Sequence, residues 1–115
     1  MLSKKIIISQ QSCIHFVDPE EIIYCKSDNS CTFIHLANGK KLIAVKSLTK
    51  IAKEQLCSPM FIRVSQSYLV NKSYVSFINK KTRELVLSNE QSIPYTLTIK
   101  ELFGLMSANS LSLTD

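Results

Sequence analysis

The segment Phe61–Asn71 combines residue types that are suited to binding an anionic partner. Arg63, Gln66 and Asn71 lie within it, among apolar residues that are typical of β-strands. An arginine can neutralise a phosphate, and a glutamine side chain can both donate and accept hydrogen bonds at the edge of a base. A buried strand does not need three such side chains, so we expect the segment to present a polar face to a partner.

Positive charge is concentrated in the middle of the chain. The 115 residues carry a net charge of +5. Residues 29–83 contain ten lysine or arginine residues and a single acidic residue, Glu54, whereas acidic residues outnumber basic ones on either side. This distribution favours nucleic acid as the anionic partner over a basic surface that serves only solubility.

The residue types that perform catalysis or bind metals are scattered along the chain. There is no nucleophile elbow, no P-loop and no HExxH motif. The four cysteines lack the spacing of a zinc site and are expected to be buried, reduced thiols: Cys13, Cys25, Cys31 and Cys57. We therefore expect no enzymatic activity, no cofactor, no metal and no small-molecule substrate.

Length and hydropathy predict one soluble domain. A chain of 115 residues can bury one hydrophobic core, and it contains no apolar run long enough to cross a membrane. The first residues lack the apolar segment of a signal peptide, so a cytoplasmic location is expected. We predict one domain over residues 1–108 and a disordered tail over residues 109–115. The sequence leaves open whether the chain is free-standing or part of a longer protein.

The hydrophobic pattern predicts a mainly β fold with two short helices. Apolar and β-branched runs predict short strands over residues 4–9, 13–17, 22–25, 32–36, 41–45, 61–64, 68–70, 75–79, 85–87 and 93–95. Asn38-Gly39 is a typical hairpin turn, and Pro94 assigns the last strand to a sheet edge. About ten short strands separated by tight turns indicate several small sheets or a partial barrel.

Each predicted helix has a recognisable start. Ser47 is expected to cap a helix over residues 48–56, whose apolar residues follow helical spacing. Thr98 with Glu101 three residues later forms a capping box for a second helix. Neither helix has the polar recognition face of a helix-turn-helix, so loops and strand ends are the expected reading elements.

Several residues also have a purely structural interpretation. Arg63 can bind a phosphate or pair with Glu54 or Glu84, and the sequence does not decide between these roles. Asn71 is expected to be a structural turn residue. The two histidines are expected to be structural, and four aromatic residues are expected in the core: Phe33, Phe61, Phe77 and Tyr68.

With these landmarks in order, the chain resembles the LytTR family, the DNA-binding output domains of bacterial response regulators. The resemblance runs from about Ile6 to Leu105 and is closest in Phe61–Val64 and Ser67–Asn71. Further landmarks in the same order are Asp18–Tyr24, Thr32–Lys40, Ser47-Leu48 and Ile93-Pro94.

The resemblance implies a fold and a function. The implied fold has about ten short strands in small sheets with flanking helices, and the implied function is that of a bacterial transcription regulator in a two-component system. Such domains bind double-stranded DNA through loops that enter successive major grooves. They commonly act in pairs on direct repeats, so a homodimer on DNA is a further expectation.

The resemblance also assigns roles to individual residues. The implied base-reading residues are Asn29, Ser30, Ser65, Gln66, Leu97 and Thr98. The residues expected to contact phosphate, from charge, reach and position, are Arg63, Ser67, Lys72, Lys80, Lys81, Lys46 and Lys50. Ser65 replaces a histidine that is usual in the family, and Leu97 stands where a polar residue is common. A leucine cannot hydrogen-bond a base edge, although it can touch a thymine methyl group.

These two departures leave other functions open. One is a protein-interaction module that keeps the fold with weakened or lost DNA binding. Another is an RNA-binding module, which has less support because its platform needs exposed aromatic residues interleaved with cations.

Overall fold

The computed structural model describes residues 5–107, which form a mainly β fold with two short helices, as predicted. The helices are α1 (Leu48–Glu54) and α2 (Ile99–Met106). The strands are β1 (Ile6–Gln10), β2 (Cys13–Val17), β3 (Ile22–Asp28), β4 (Cys31–Leu36), β5 (Lys41–Ala44), β6 (Phe61–Arg63), β7 (Tyr68–Asn71), β8 (Val75–Asn79), β9 (Glu84–Leu87) and β10 (Ser92–Pro94). The predicted tail, residues 109–115, lies outside the described residues.

The strands form three small antiparallel sheets. β1 and β2 form a hairpin, β8 to β10 form a three-stranded sheet, and the central sheet has the order β5-β4-β3-β7-β6. Pro94 lies in β10 at a sheet edge, as its missing backbone donor requires. Asn38-Gly39 turns the chain between β4 and β5, and Gly39 adopts a φ of +90° that suits glycine. None of the helices within residues 5–107 is long and apolar enough to span a bilayer.

The first core lies between α1, the β1–β2 hairpin and one face of the central sheet. The alternation predicted for β4 is confirmed, because Thr32, Ile34 and Leu36 are buried while the residues between them are half-buried. Leu48 and Ile51 of α1 pack against this face. The buried Thr32 hydroxyl donates to the carbonyl of Lys46 at 2.8 Å, so its burial leaves no unpaired donor.

The second core lies between the opposite face of the central sheet, the three-stranded sheet and α2. Its buried residues are Ile23, Tyr24, Ile62, Val64, Val70, Leu85, Leu87, Ile93, Tyr95 and Leu102. On the other face of the central sheet, Asn71 is fully buried opposite Phe61 of the first core and is structural, as predicted. Its Nδ2 donates to the Ile22 carbonyl at 2.9 Å, and its Oδ1 accepts from the backbone of Ser73 at 3.0 Å. Asn71 therefore ties β7 to the start of β3.

One edge of the second core is closed by aromatic and cationic side chains. The His35 ring stacks on Tyr24 with centroids 4.2 Å apart and an interplanar angle of 11°. Burial lowers the pKa of His35, and the neighbouring Lys41 and Lys26 lower it further. His35 is thus a packed structural histidine, as predicted.

Both helix starts are confirmed. The Ser47 hydroxyl accepts from the backbone N–H of Lys50 at 3.2 Å, and Thr98 and Glu101 form the complete capping box. α1 ends at Glu54, two residues before the predicted end. There the Leu56 N–H bonds to the Ile51 carbonyl, which tightens the chain out of the helix while Leu56 stays in the core.

Several core predictions are wrong. Phe77 is 54% exposed, because its side chain points away from the second core, whereas the neighbouring Ile78 packs against that core. Phe33 is only half-buried. Tyr68 is half-buried but packs against the second core, and Phe61 is buried as predicted. Among the cysteines, Cys25 is buried and its pKa is raised to about 12 by that burial. Cys13 and Cys57 are exposed because they lie beside a turn and a loop, and all four thiols are free.

Candidate nucleic-acid interface

Three segments that were predicted to read DNA are joined side by side. They are the β3–β4 turn with Asn29 and Ser30, the β6–β7 loop Ser65–Ser67, and the segment that precedes α2. The Ser27 N–H donates to the Ser67 carbonyl at 2.9 Å, which links the first two segments. The Thr96 N–H donates to the Val64 carbonyl at 3.0 Å, which links the segment before α2 to the residue that precedes the β6–β7 loop.

A polar depression of about 260 Å³ lies between the first two segments and the start of α1. Asn29 and Gln66 line it together with Arg63 and Ser67, so four predicted site residues share one surface. Ser27 of β3 and the residues Ser47, Leu48 and Thr49 at the start of α1 complete it. Sequence reasoning assigned Ser47 only as a helix cap, since nothing in the sequence reports that α1 begins beside β6.

Asn29 is held at the tip of a tight turn. Its φ of +58° is left-handed, a conformation that asparagine tolerates better than most residues. Asp28 and Cys31 are paired across the turn, so Asn29 and Ser30 project beyond the last pair of the β3–β4 ladder. Both are exposed and stand where a partner can reach them.

Arg63 braces the β6–β7 loop. Its Nε donates to the Ser65 carbonyl at 2.9 Å and its Nη2 donates to the Gln66 carbonyl at 2.7 Å. Its Nη1 approaches Thr49 Oγ1 at 3.4 Å. Of the two roles that the sequence leaves open for Arg63, the ion pair with Glu54 or Glu84 does not form within residues 5–107, because the guanidinium is turned toward the loop and Glu54 approaches Lys46 instead.

The brace determines how the loop presents its side chains. The Ser67 N–H donates to Ser65 Oγ at 3.2 Å, which closes the loop on itself. Arg63 uses the backbone carbonyl of Gln66, so the exposed amide side chain of Gln66 stays available to a partner. The hydroxyl of half-buried Ser65 accepts within the loop, whereas Gln66 and Ser67 are exposed.

The segment before α2 is held by Arg83, which sequence reasoning did not assign to the site. Arg83 Nη2 donates to the Leu97 carbonyl at 3.0 Å, and its guanidinium lies 5.1 Å from the centre of the Tyr95 ring. Leu97 is half-buried against the second core, and Thr98 Oγ1 accepts from the Glu101 N–H as the helix cap. Both predicted residues thus have structural partners already.

A sequence profile of the LytTr DNA-binding domain family matches residues 12–104. The chain belongs to the LytTR family. The LytTr DNA-binding domain of a methyl-accepting/DNA response regulator from Bacillus cereus has a similar fold, with a TM-score of 0.73 at 18% sequence identity. The similarity covers 90% of this chain and 96% of that domain. None of the curated proteins that were compared matches the chain.

Family membership confirms the resemblance drawn from the sequence. It also assigns this LytTR domain in general terms to DNA binding in transcription regulation, with double-stranded DNA as the partner. The small-sheet architecture predicted from strand lengths is confirmed by the ten strands in three sheets and by the similar fold of the Bacillus cereus domain.

The lysines of the LytTR domain that were predicted to contact phosphate fall into two groups. Lys50, Lys80 and Lys81 are exposed, and the turn that carries the last two is ordered by Asn79 Oδ1, which accepts from the Lys81 N–H at 3.0 Å. Lys46 lies 3.4 Å from Glu54, and Lys72 Nζ donates to the Leu105 carbonyl at the end of α2 at 3.1 Å. The first group offers charge without rearrangement, whereas the second must leave a partner.

Proposed function

We propose that this LytTR domain binds double-stranded DNA sequence-specifically as a bacterial transcription regulator, reading major grooves through its loops. The observation that carries the proposal is the depression in which Asn29 and Gln66 lie beside the loop-bracing Arg63. The exposed amide side chains of Asn29 and Gln66 supply the donor and acceptor pairs that a base edge requires. Residues 1–108 act in this proposal as one DNA-binding unit.

Gln66 is the central base-reading residue of the proposal. An amide side chain can make a bidentate contact with adenine, and such a contact contributes about 1–3 kcal/mol of discrimination. Asn29 offers the same chemistry from the neighbouring turn. The complete proposed reading set is Asn29, Ser30, Ser65, Gln66, Leu97 and Thr98. Leu97 contributes apolar contact to a thymine methyl group, because its side chain has no donor.

Phosphate contacts supply the affinity that does not depend on sequence. The proposed set is Arg63, Ser67, Lys72, Lys80, Lys81, Lys46 and Lys50. Lys80 and Lys81 are the strongest members because both are exposed on an ordered turn. Arg63 combines the brace with a positive charge at the wall of the depression.

Two copies of the domain are proposed to act together on DNA. Direct repeats separated by about one helical turn, roughly 10–10.5 base pairs, place equivalent loops on the same side of the duplex. A homodimer on DNA follows from that arrangement, with both copies in the same orientation along the duplex.

A second candidate function is a protein-interaction module on the same fold. The observation that favours it is the segment before α2, where Leu97 packs against the core and the Thr98 hydroxyl caps the helix. That segment offers fewer free polar side chains than a base-reading segment needs.

The experiment compares the binding of duplex and single-stranded DNA of the same sequence across a salt series. The proposal expects duplex DNA to bind more tightly, with log K falling by about 0.9 per phosphate contact for each unit of log salt concentration. Absence of binding at low salt contradicts it in favour of the protein-interaction module. Preference for single strands contradicts it in favour of RNA binding.

A further inference from the structure

The outer edge of β2 is an unpaired strand edge beside an exposed apolar face. Within residues 5–107, β2 pairs with β1 alone. Ile7, Ile14 and Phe16 are 53%, 61% and 64% exposed. Ile7 lies opposite Phe16 in the hairpin, and Ile14 is on the same face of β2 two residues away. These three side chains form one cluster, hereafter the hairpin cluster.

The edge of β2 lacks the features that normally protect an exposed strand. Cys13–Val17 contains no lysine, no acidic residue and no proline, and its register with β1 shows no bulge. The nearest charges, Lys5 and Asp18, pair with each other at 3.1 Å. Because that pair is internally balanced, the edge does not attract a charged partner and suits one that is neutral and apolar.

The hairpin geometry identifies which backbone groups of β2 face outward. Gln10 and Cys13 flank a two-residue turn and are paired across it. In such a hairpin the pair next to the turn is hydrogen-bonded and the following pairs alternate. Ile14 and Phe16 therefore belong to pairs that are not hydrogen-bonded to β1, and their N–H and C=O groups point to the open edge.

We propose that this edge is a homodimer interface, in which two copies pair their β2 strands antiparallel about a twofold axis at His15. In this register Ile14 of one copy lies opposite Phe16 of the other, and these are the residues whose backbone groups are open. The pairing forms a four-stranded sheet on which the two hairpin clusters become continuous. Self-complementarity in both backbone and side chains is what selects a second copy of this chain over another apolar partner.

The interface is small and does not involve the DNA-reading surface. Five-residue strands are about 17 Å long, so the buried area falls below the roughly 1,200–2,000 Å² of stable complexes. We therefore expect a weak dimer that exchanges readily with the monomer. None of the described residues of β1 or β2 lines the depression beside Gln66. A twofold contact also differs from the same-orientation arrangement on direct repeats, so this proposal stands independently of the proposed function.

Sedimentation velocity over a concentration series tests the dimer with a matched pair of variants. Phe16→Lys places a charge in the interface, whereas Phe77→Lys replaces another phenylalanine that is more than half exposed, on β8. We expect wild type and Phe77→Lys to dimerise alike, and Phe16→Lys to raise the dissociation constant by roughly tenfold or more. A wild type that stays monomeric throughout, or equal effects of the two variants, overturns the proposal.

Disulfide trapping tests the register without disturbing the apolar cluster. In the proposed pairing the two His15 residues form a non-hydrogen-bonded pair, whose Cα separation of about 4.5 Å permits a disulfide. In a background with Cys13, Cys31 and Cys57 changed to serine, His15→Cys is expected to form a covalent dimer under mild oxidation. Ser9→Cys in the same background is expected to remain monomeric, since Ser9 lies on β1, the strand of each hairpin that is farther from the twofold axis. Equal trapping at both positions overturns the register.

Discussion

Substitution of Arg63 separates loop bracing from charge. Arg63→Lys keeps the positive charge but cannot reproduce the two contacts that Arg63 makes from separate nitrogens, because a lysine lacks the planar fork of a guanidinium. The contacts at 2.9 and 2.7 Å to the Ser65 and Gln66 carbonyls are charge-assisted but partly exposed to water. We assign each about 0.5–1 kcal/mol, so the ordered loop loses about 1–2 kcal/mol and DNA affinity falls roughly 5- to 30-fold.

The assay is fluorescence anisotropy on a selected duplex across a salt series, with Arg63→Ala as the companion variant. Arg63→Lys is expected to lose affinity with an unchanged salt slope, because the charge is kept. Arg63→Ala is expected to lose more affinity and to reduce the slope by about 0.9, which corresponds to one phosphate contact. If Arg63→Lys binds as tightly as wild type, the loop does not depend on the guanidinium and the bracing argument is refuted.

Three further predictions concern other residues. Lys80→Ala is expected to weaken binding of all sequences equally and to reduce the salt slope by about 0.9, whereas Lys53→Ala on α1, outside the proposed contacts, serves as the charge-matched control. Asn71→Ala removes the side chain that donates to the buried Ile22 carbonyl, so the free energy of unfolding measured by thermal unfolding is expected to fall by about 2–3 kcal/mol. Asn89→Ala, which changes an exposed asparagine, is expected to lower it much less. The lowered pKa of His35 means that the unfolded chain binds the proton more readily, so stability is expected to fall as pH drops below about 6.5. His35→Gln should flatten this part of the profile of denaturant stability against pH, and an unchanged profile contradicts the assignment.

Local rules predicted the parts of the fold that depend on neighbouring residues. The Asn38-Gly39 turn, the Ser47 cap and the capping box of Thr98 each satisfy backbone groups within four residues, so the sequence contains the whole interaction. Alternation in β4 likewise reflects burial of one face, and the structure confirms it.

Side-chain partners across long sequence separations were not predictable in the same way. Arg83 reaches the Leu97 carbonyl across 14 residues, and Arg63 turns toward its own loop instead of toward an acidic residue. Phe61 and Phe77 both lie in apolar runs, yet one is buried and the other is 54% exposed. Both residues lie in strands at a sheet edge, so the difference depends on which face of the strand is covered by the rest of the fold. That property is not visible in the sequence of a strand of three to five residues.

The proposed base-reading role of Gln66 is tested most directly by in-vitro selection from random duplex DNA, with wild type and Gln66→Ala in parallel. Wild type is expected to recover a motif, with two copies in direct repeat spaced by about one helical turn. Gln66→Ala is expected to recover the same motif with information lost at one base pair, matching about 1–3 kcal/mol of discrimination. Recovery of identical motifs contradicts base reading by Gln66. Recovery of no motif by the wild type contradicts sequence-specific binding itself.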